Sequence, residues 1–145
     1  MFKREEYVEN PLHTAACNGD TDLLRELLAA GHDPNLPNFR ETPPLHMAVE
    51  AGVLDAVRVL LEHGADVNCV HGARGTTAAH VAAGSGLAEV LQLLLEAGAD
   101  VDARNSWGDN VVKVAKKQKK SSKPGSEEVM AVLIATGHVA PPAAG

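Results

Sequence analysis

The chain returns to itself at a nearly fixed interval, and this limits its possible folds more than any other feature. Pro11 to Asn35, PLHTAACNGDTDLLRELLAAGHDPN, is matched by Pro44 to Asn68, PLHMAVEAGVLDAVRVLLEHGADVN, and again by Ala78 to Asp102, AAHVAAGSGLAEVLQLLLEAGADVD. Glycines mark the phase: Gly19, Gly52 and Gly86 form one series and Gly31, Gly64 and Gly98 another, at offsets of 33 and 34 residues. A unit this short cannot bury an apolar face by itself. It must stack on its neighbours, so the period predicts a solenoid.

Within each unit the signals are helical. Pro11 and Pro44 suit a first helical turn, where the missing N–H costs nothing, and the glycine after each short helix permits the left-handed turn that reverses the chain. Leu23, Leu24, Leu27 and Leu28 have the spacing of a buried stripe, echoed by Val57, Leu60 and Leu61 and by Val90, Leu91, Leu94 and Leu95. The chain has only four aromatic residues, Phe2, Tyr7, Phe39 and Trp107, so its core must come from Leu, Val and Ala. That composition suits closely packed short helices, and the expected class is all-α.

His13 and Cys17 stand four residues apart, a spacing open to a metal-binding reading. The repeat argues for scaffold instead: His13 recurs as His46 and His80, whereas Glu50 and Gly84 occupy the place of Cys17. Cys17 reads as a small, partly buried thiol, and no metal or cofactor is expected.

The segments TPPLHMA and LLEHGADVN resemble the ankyrin repeat, and the resemblance runs from about Val8 to His138. It implies helix-turn-helix units joined by β-hairpin-like fingers. It also implies that His13, His46 and His80 hydrogen-bond neighbouring turns, with Gly31, Gly64 and Gly98 as structural positions. The expected organisation is an N-terminal cap segment at 1–9, in which Phe2, Tyr7 and Val8 fold back over the first unit, and repeats at 10–40, 41–74 and 75–107. A degenerate capping repeat with a lysine-rich insertion at 108–138 and a flexible tail at 139–145 complete it. In the fourth unit Lys113 replaces the histidine, and Gly98 to Gly137 is 39 residues. The extra length falls in KKQKKSSKPGSEE, read as a helix end followed by a solvated loop.

Charge is split along the chain. The net charge is −6, but residues 1–110 carry 17 acidic and 7 basic side chains, and residues 111–145 carry 2 and 6. The acidic body argues against nucleic acid as a direct ligand. Lys116, Lys117, Lys119, Lys120 and Lys123 read either as an import signal or acidic-partner patch, or as a mobile solvated loop; Ser121, Ser122 and Ser126 are candidates for modification. Two distant cysteines and no apolar leader or membrane anchor suggest an intracellular, monomeric protein, cytoplasmic and also nuclear if the lysines direct import.

The resemblance implies a partner protein held by the finger tips and the concave face. The fingers are LPNFRE, CVHGARG and ARNSWGD, and the candidate contact residues are Asn38, Phe39, Arg40, Met47, Glu50, His71, Arg74, Val81, Arg104, Asn105, Ser106 and Trp107. Phe39 and Trp107 beside arginines have hot-spot composition, while the plainer reading packs them sideways against the next hairpin.

No GxSxG, HExxH, CxxC or phosphate-binding glycine loop is present, so the expectation is a non-enzymatic interaction module. A narrower reading follows from NCVHGARGTTAAH and DARNSWGD, which resemble the small ankyrin inhibitors of cyclin-dependent kinases; a protein kinase would then be the partner. PPLHMAVEAG departs from that pattern, in which the first helix of the second repeat is shortened, and so does the lysine-rich insertion. An adaptor or substrate receptor in a larger assembly is a further alternative.

Overall fold

The computed structural model describes residues 11–38, 40–71 and 74–140; the N-terminal cap segment and Phe39 lie outside them. The described residues form four helix pairs. These are α1 (Pro11–Asn18) with α2 (Thr21–Ala29), α3 (Pro44–Ala51) with α4 (Leu54–Glu62), α5 (Ala78–Gly84) with α6 (Ala88–Glu96), and α7 (Val111–Lys120) with α8 (Ser126–Ala135). The first helices stack as one layer, α1 on α3 on α5 on α7, and the second helices stack behind them as another. Strands β1 (Val70–His71) and β2 (Thr76–Thr77) pair antiparallel within the second finger, with His71 opposite Thr76.

The helix boundaries follow from local chemistry. Pro44 opens α3 at a position that needs no donor. Thr77 caps α5 in a box with His80, and Asn110 caps α7 by accepting from the Lys113 N–H. Within two residues of its end, the first helix of each of the first three units is followed by a glycine with φ of 72 or 73°, namely Gly19, Gly52 and Gly86. The N–H of the following residue then reaches back to a carbonyl of the last turn: Asp20 to Ala15, Val53 to Ala48 and Leu87 to Ala82, at 3.0, 3.1 and 2.9 Å. This closure satisfies carbonyls that the helix end would otherwise leave bare.

Small residues let the inner layer pack closely, with Ala15, Ala16, Ala48, Ala82, Ala83 and Ala115 essentially inaccessible. The outer layer supplies Leu24, Val57, Leu60, Leu91, Leu94 and Leu133 to the same core. Two expectations change. Leu23, expected in the stripe, is 39% exposed although its equivalents Ala56 and Val90 are buried, because no earlier unit covers it among the described residues. Cys17 is exposed rather than partly buried, since α1 turns Leu12, His13, Ala15 and Ala16 inward and leaves position 17 outside.

The lysine-rich segment is a helix end followed by a loop, as expected, and most of its lysines lie in the helix. Lys116, Lys117, Lys119 and Lys120 belong to α7, which reaches ten residues against eight in α3, and only Ser121 to Gly125 form the loop. Ser126 is buried in the first turn of α8, so the exposed hydroxyls are those of Ser121 and Ser122. Val139, expected to begin the free tail, is half-buried against the core and donates its N–H to Leu133.

Candidate functional site

The three buried histidines do the same work one unit apart. The ring N–H at Nε2 of His13, His46 and His80 donates to the backbone carbonyl of Thr42, Thr76 and Asp109, at 2.7, 2.8 and 2.9 Å. Each histidine therefore leaves its own helix and fixes the base of the next finger. A carbonyl only accepts, so these bonds place the ring proton on Nε2 and leave Nδ1 as an acceptor. His80 Nδ1 is met by the Thr77 N–H at 3.2 Å. His46 has no such partner among the described residues, because Pro43 stands where Thr77 stands, and its buried Nδ1 makes no hydrogen bond there. Burial holds the His46 ring below the ordinary histidine range, with the Thr76 carbonyl pulling the other way and the charges of His71 and His80 adding to the lowering.

The fingers fall into two designs. In the first, Asn38 Oδ1 accepts from the Arg40 and Thr42 N–H groups at 2.9 and 3.0 Å. The third repeats this with Asn105 Oδ1 accepting from Trp107 and Asp109, both at 3.0 Å. The asparagines hold these tips closed, so the part of each side chain left for a partner is its amide nitrogen. The second finger is one residue longer and carries His71 at that position. His71 turns back instead, its Nε2 3.0 Å from Thr42 Oγ1 and its ring centroid 6.0 Å from that of His46. The fold thus sets this residue of the second finger against the end of the first finger and α3.

Asn38, Arg40, Thr42, Met47, Glu50, His71 and Arg74 line one cavity of about 400 Å³. Six of these seven are contact residues expected from the sequence, drawn from the first finger, α3 and the second finger. The cavity is open, mixes both charges, and has Met47 as its apolar wall. Val81 is half-buried on α5, further along the same layer. The third finger joins the second through the Ser106 N–H, which donates to Arg74 O at 3.0 Å, while Arg104 Nη1 donates to Gly108 O at 2.8 Å. Trp107 leaves 67% of its surface exposed, so sideways packing takes up only the smaller part of the ring.

Two features were overlooked in the sequence although a signal was there. Asn35 and Asn68, one period apart, stitch the opposite edge: Asn35 donates to Gly64 O and accepts from Asp66 N, and Asn68 donates to Gly98 O and accepts from Asp100 N. Asp109 is the second. Its carbonyl receives His80, and its carboxylate lies 2.8 Å from Lys113 Nζ and 2.5 Å from Lys117 Nζ. These hydrogen bonds from Lys113 and Lys117 hold the carboxyl below its usual range.

The chain matches the family model for ankyrin repeats, in three copies, over residues 12–105. Among curated proteins it is similar to transient receptor potential cation channel subfamily A member 1 of Homo sapiens, 38% identical over 54% of this chain and 7% of the channel. The E3 ubiquitin-protein ligase KEG of Arabidopsis thaliana is 46% identical over 39% of this chain and 4% of the ligase. NF-kappa-B inhibitor alpha of Homo sapiens is 43% identical over 37% of this chain and 17% of the inhibitor. The chain thus spans less than a fifth of the length of each of these relatives. No helix among the described residues is long and apolar enough to cross a membrane.

Proposed function

This chain belongs to the ankyrin-repeat family, whose repeats bind other proteins, and from that premise we propose that it is a regulatory binding module whose partner is gripped on the finger side. The proposed contact runs from the cavity between the first two fingers to the Trp107 ring on the third. One observation carries it: two fingers and α3 converge on a single open cavity lined by Arg40, Arg74, Glu50, His71 and Met47. Arginine and methionine with a large exposed aromatic nearby are residue types enriched at interface centres. The name of one relative, an inhibitor, supports the regulatory part of the reading. Fold alone does not select a partner.

The narrower kinase-inhibitor reading implies a shortened first helix in the second repeat. Here α3 runs Pro44–Ala51, as long as α1 at Pro11–Asn18, which speaks against it. The experiment is capture from cell lysate with the intact chain beside Trp107→Ala and Arg74→Ala, followed by affinity measurement on the proteins identified. Each substitution is expected to weaken the specific partner by about 2 kcal/mol, roughly thirtyfold, with helicity unchanged. Equal affinity for all three forms would remove the finger side as the site.

A further inference from the structure

The fourth unit carries a surface that the finger-side reading does not use. Its helix α7 runs ten residues, against seven in α5, and the added residues are Gln118, Lys119 and Lys120. Lys113, Lys116, Lys117 and Lys120 stand at the i, i+3, i+4, i+7 positions of one helical stripe, spanning about 10 Å along the axis. The opposite side of the helix, Val111 and Ala115, is buried in the core.

The stripe is held in place from both ends. Asn110 caps its start, and Ser121 Oγ donates to Lys117 O at 3.2 Å near its finish. Beyond it, Pro124 and Gly125 press their backbone against Gly86 so closely that neither glycine has room for a Cβ. A cationic surface fixed in this way differs from a lysine loop that water would solvate freely.

Its charges are only partly answered. Asp109 takes Lys113 and Lys117, and Glu127 takes Lys119 at 3.6 Å on the other flank. Lys116, Lys120 and Lys123 are exposed and have no ion pair among the described residues. Asp109 also shows what the stripe accepts, since its carboxylate bridges two lysines four residues apart on one helix face.

We propose that this stripe docks a short acidic segment of a partner protein, whose Asp and Glu side chains continue along Lys116 and Lys120 the pairing that Asp109 begins. All the cations of residues 111–124 are lysines. They act as point charges that pair with single oxyanions, without the bidentate fork of arginine. The rest of the molecule selects for a short ligand. Residues 1–110 carry 17 acidic against 7 basic side chains, so a nucleic acid or anionic membrane reaching beyond the stripe meets repulsion. Lys117 occupies the register position of Glu50 in α3 and Gly84 in α5, which puts the stripe at the end of the concave face. The inference goes beyond the finger-side reading and does not depend on it.

The test uses the intact chain and a fluorescein-labelled peptide of about six alternating Asp and Glu residues, extended over roughly 20 Å. Binding is followed by fluorescence anisotropy at low and at physiological salt. Charge reversal, Lys116→Glu with Lys120→Glu, is expected to weaken binding at least about tenfold, and the neutral Lys116→Gln with Lys120→Gln pair by an intermediate factor. Lys116→Arg with Lys120→Arg should keep the affinity within about twofold, and added salt should weaken the wild type. Circular dichroism checks that each variant remains helical, and the glutamine pair keeps the test decisive if charge reversal unfolds α7. The proposal is overturned if the wild type does not bind the peptide at low salt, or if the glutamine and wild-type forms bind alike. Tighter binding to a thymidine oligonucleotide of equal charge, or to phosphatidylserine vesicles, would overturn it as well.

Discussion

The junction between the second and third units and the junction between the third and fourth join similar helices by different chemistry. At the inner junction the stitches are periodic: His46 donates to Thr76 O at one edge, and Asn68 exchanges hydrogen bonds with Gly98 and Asp100 at the other. At the outer junction the histidine stitch survives as His80 to Asp109 O, but Asp102 stands in the place of Asn68 and has no amide to donate. Two other devices appear there, the lysine pairs on Asp109 and the backbone contact of Gly86 with Pro124 and Gly125. An interior unit meets near copies of itself on both sides, so one residue type can serve every junction. The fourth unit has a copy on one side only among the described residues. Lys113, in the histidine position, turns to its own finger instead of to the next.

Four measurements would break or sharpen this contrast. The largest effect belongs to the shared core: Leu60 is inaccessible, and Leu60→Ala should cost about 2 to 5 kcal/mol in urea unfolding. A near-neutral result would contradict the stacking register itself.

The next separates the backbone contact from ordinary glycine strain. Gly64 has φ of 90° and open space around its missing Cβ, whereas Gly86 has φ of 73° and no space. Gly64→Ala should cost about 1 kcal/mol from backbone strain alone. Gly86→Ala should cost on the order of 3 kcal/mol and lower amide protection in α8 before the inner units. Equal costs would mean that the outer junction does not depend on that contact.

A smaller difference tests the asparagine stitch. Asn68→Ala removes two cross-junction hydrogen bonds and should cost about 1 to 2 kcal/mol. Asp102→Ala should stay within about 0.5 kcal/mol, since no cross-junction bond to it exists among the described residues. Comparable losses would erase the distinction between the two edges.

The smallest effect is on pH. Burial lowers the His46 pKa in the folded chain, so as pH falls below about 6.5 the unfolded chain takes up a proton that the folded chain resists. The contribution of His46 to stability is therefore complete above that pH and is lost as pH falls toward its native pKa. Denaturation at a series of pH values should show this loss, and His46→Gln should make the slope shallower. An unchanged slope in the variant would assign the effect to other groups.

Much of this molecule was legible in advance because a repeat states each instruction several times. Three occurrences of the glycines, leucines and histidines located the helices and the stripe, since helix periodicity and left-handed turns are local properties. Six of the seven cavity residues stand at finger and register positions where the ankyrin resemblance implies contacts. What failed was context. Leu23 looks the same in sequence as its buried counterparts, and nothing local announces how far α7 runs on past the repeat.

The sequence by itself determined the period, the all-helical class and the order of helices and fingers, because these depend on spacing within about one unit. Tertiary structure decided which equivalents are covered and which are bare, and that His71 meets His46 and Thr42 across 25 and 29 residues. It also decided that Asp109 gathers two lysines and a histidine at one point. The physical reason is that burial and ion pairing depend on what the next unit places opposite a residue, and the four units, though alike, do not have the same neighbours.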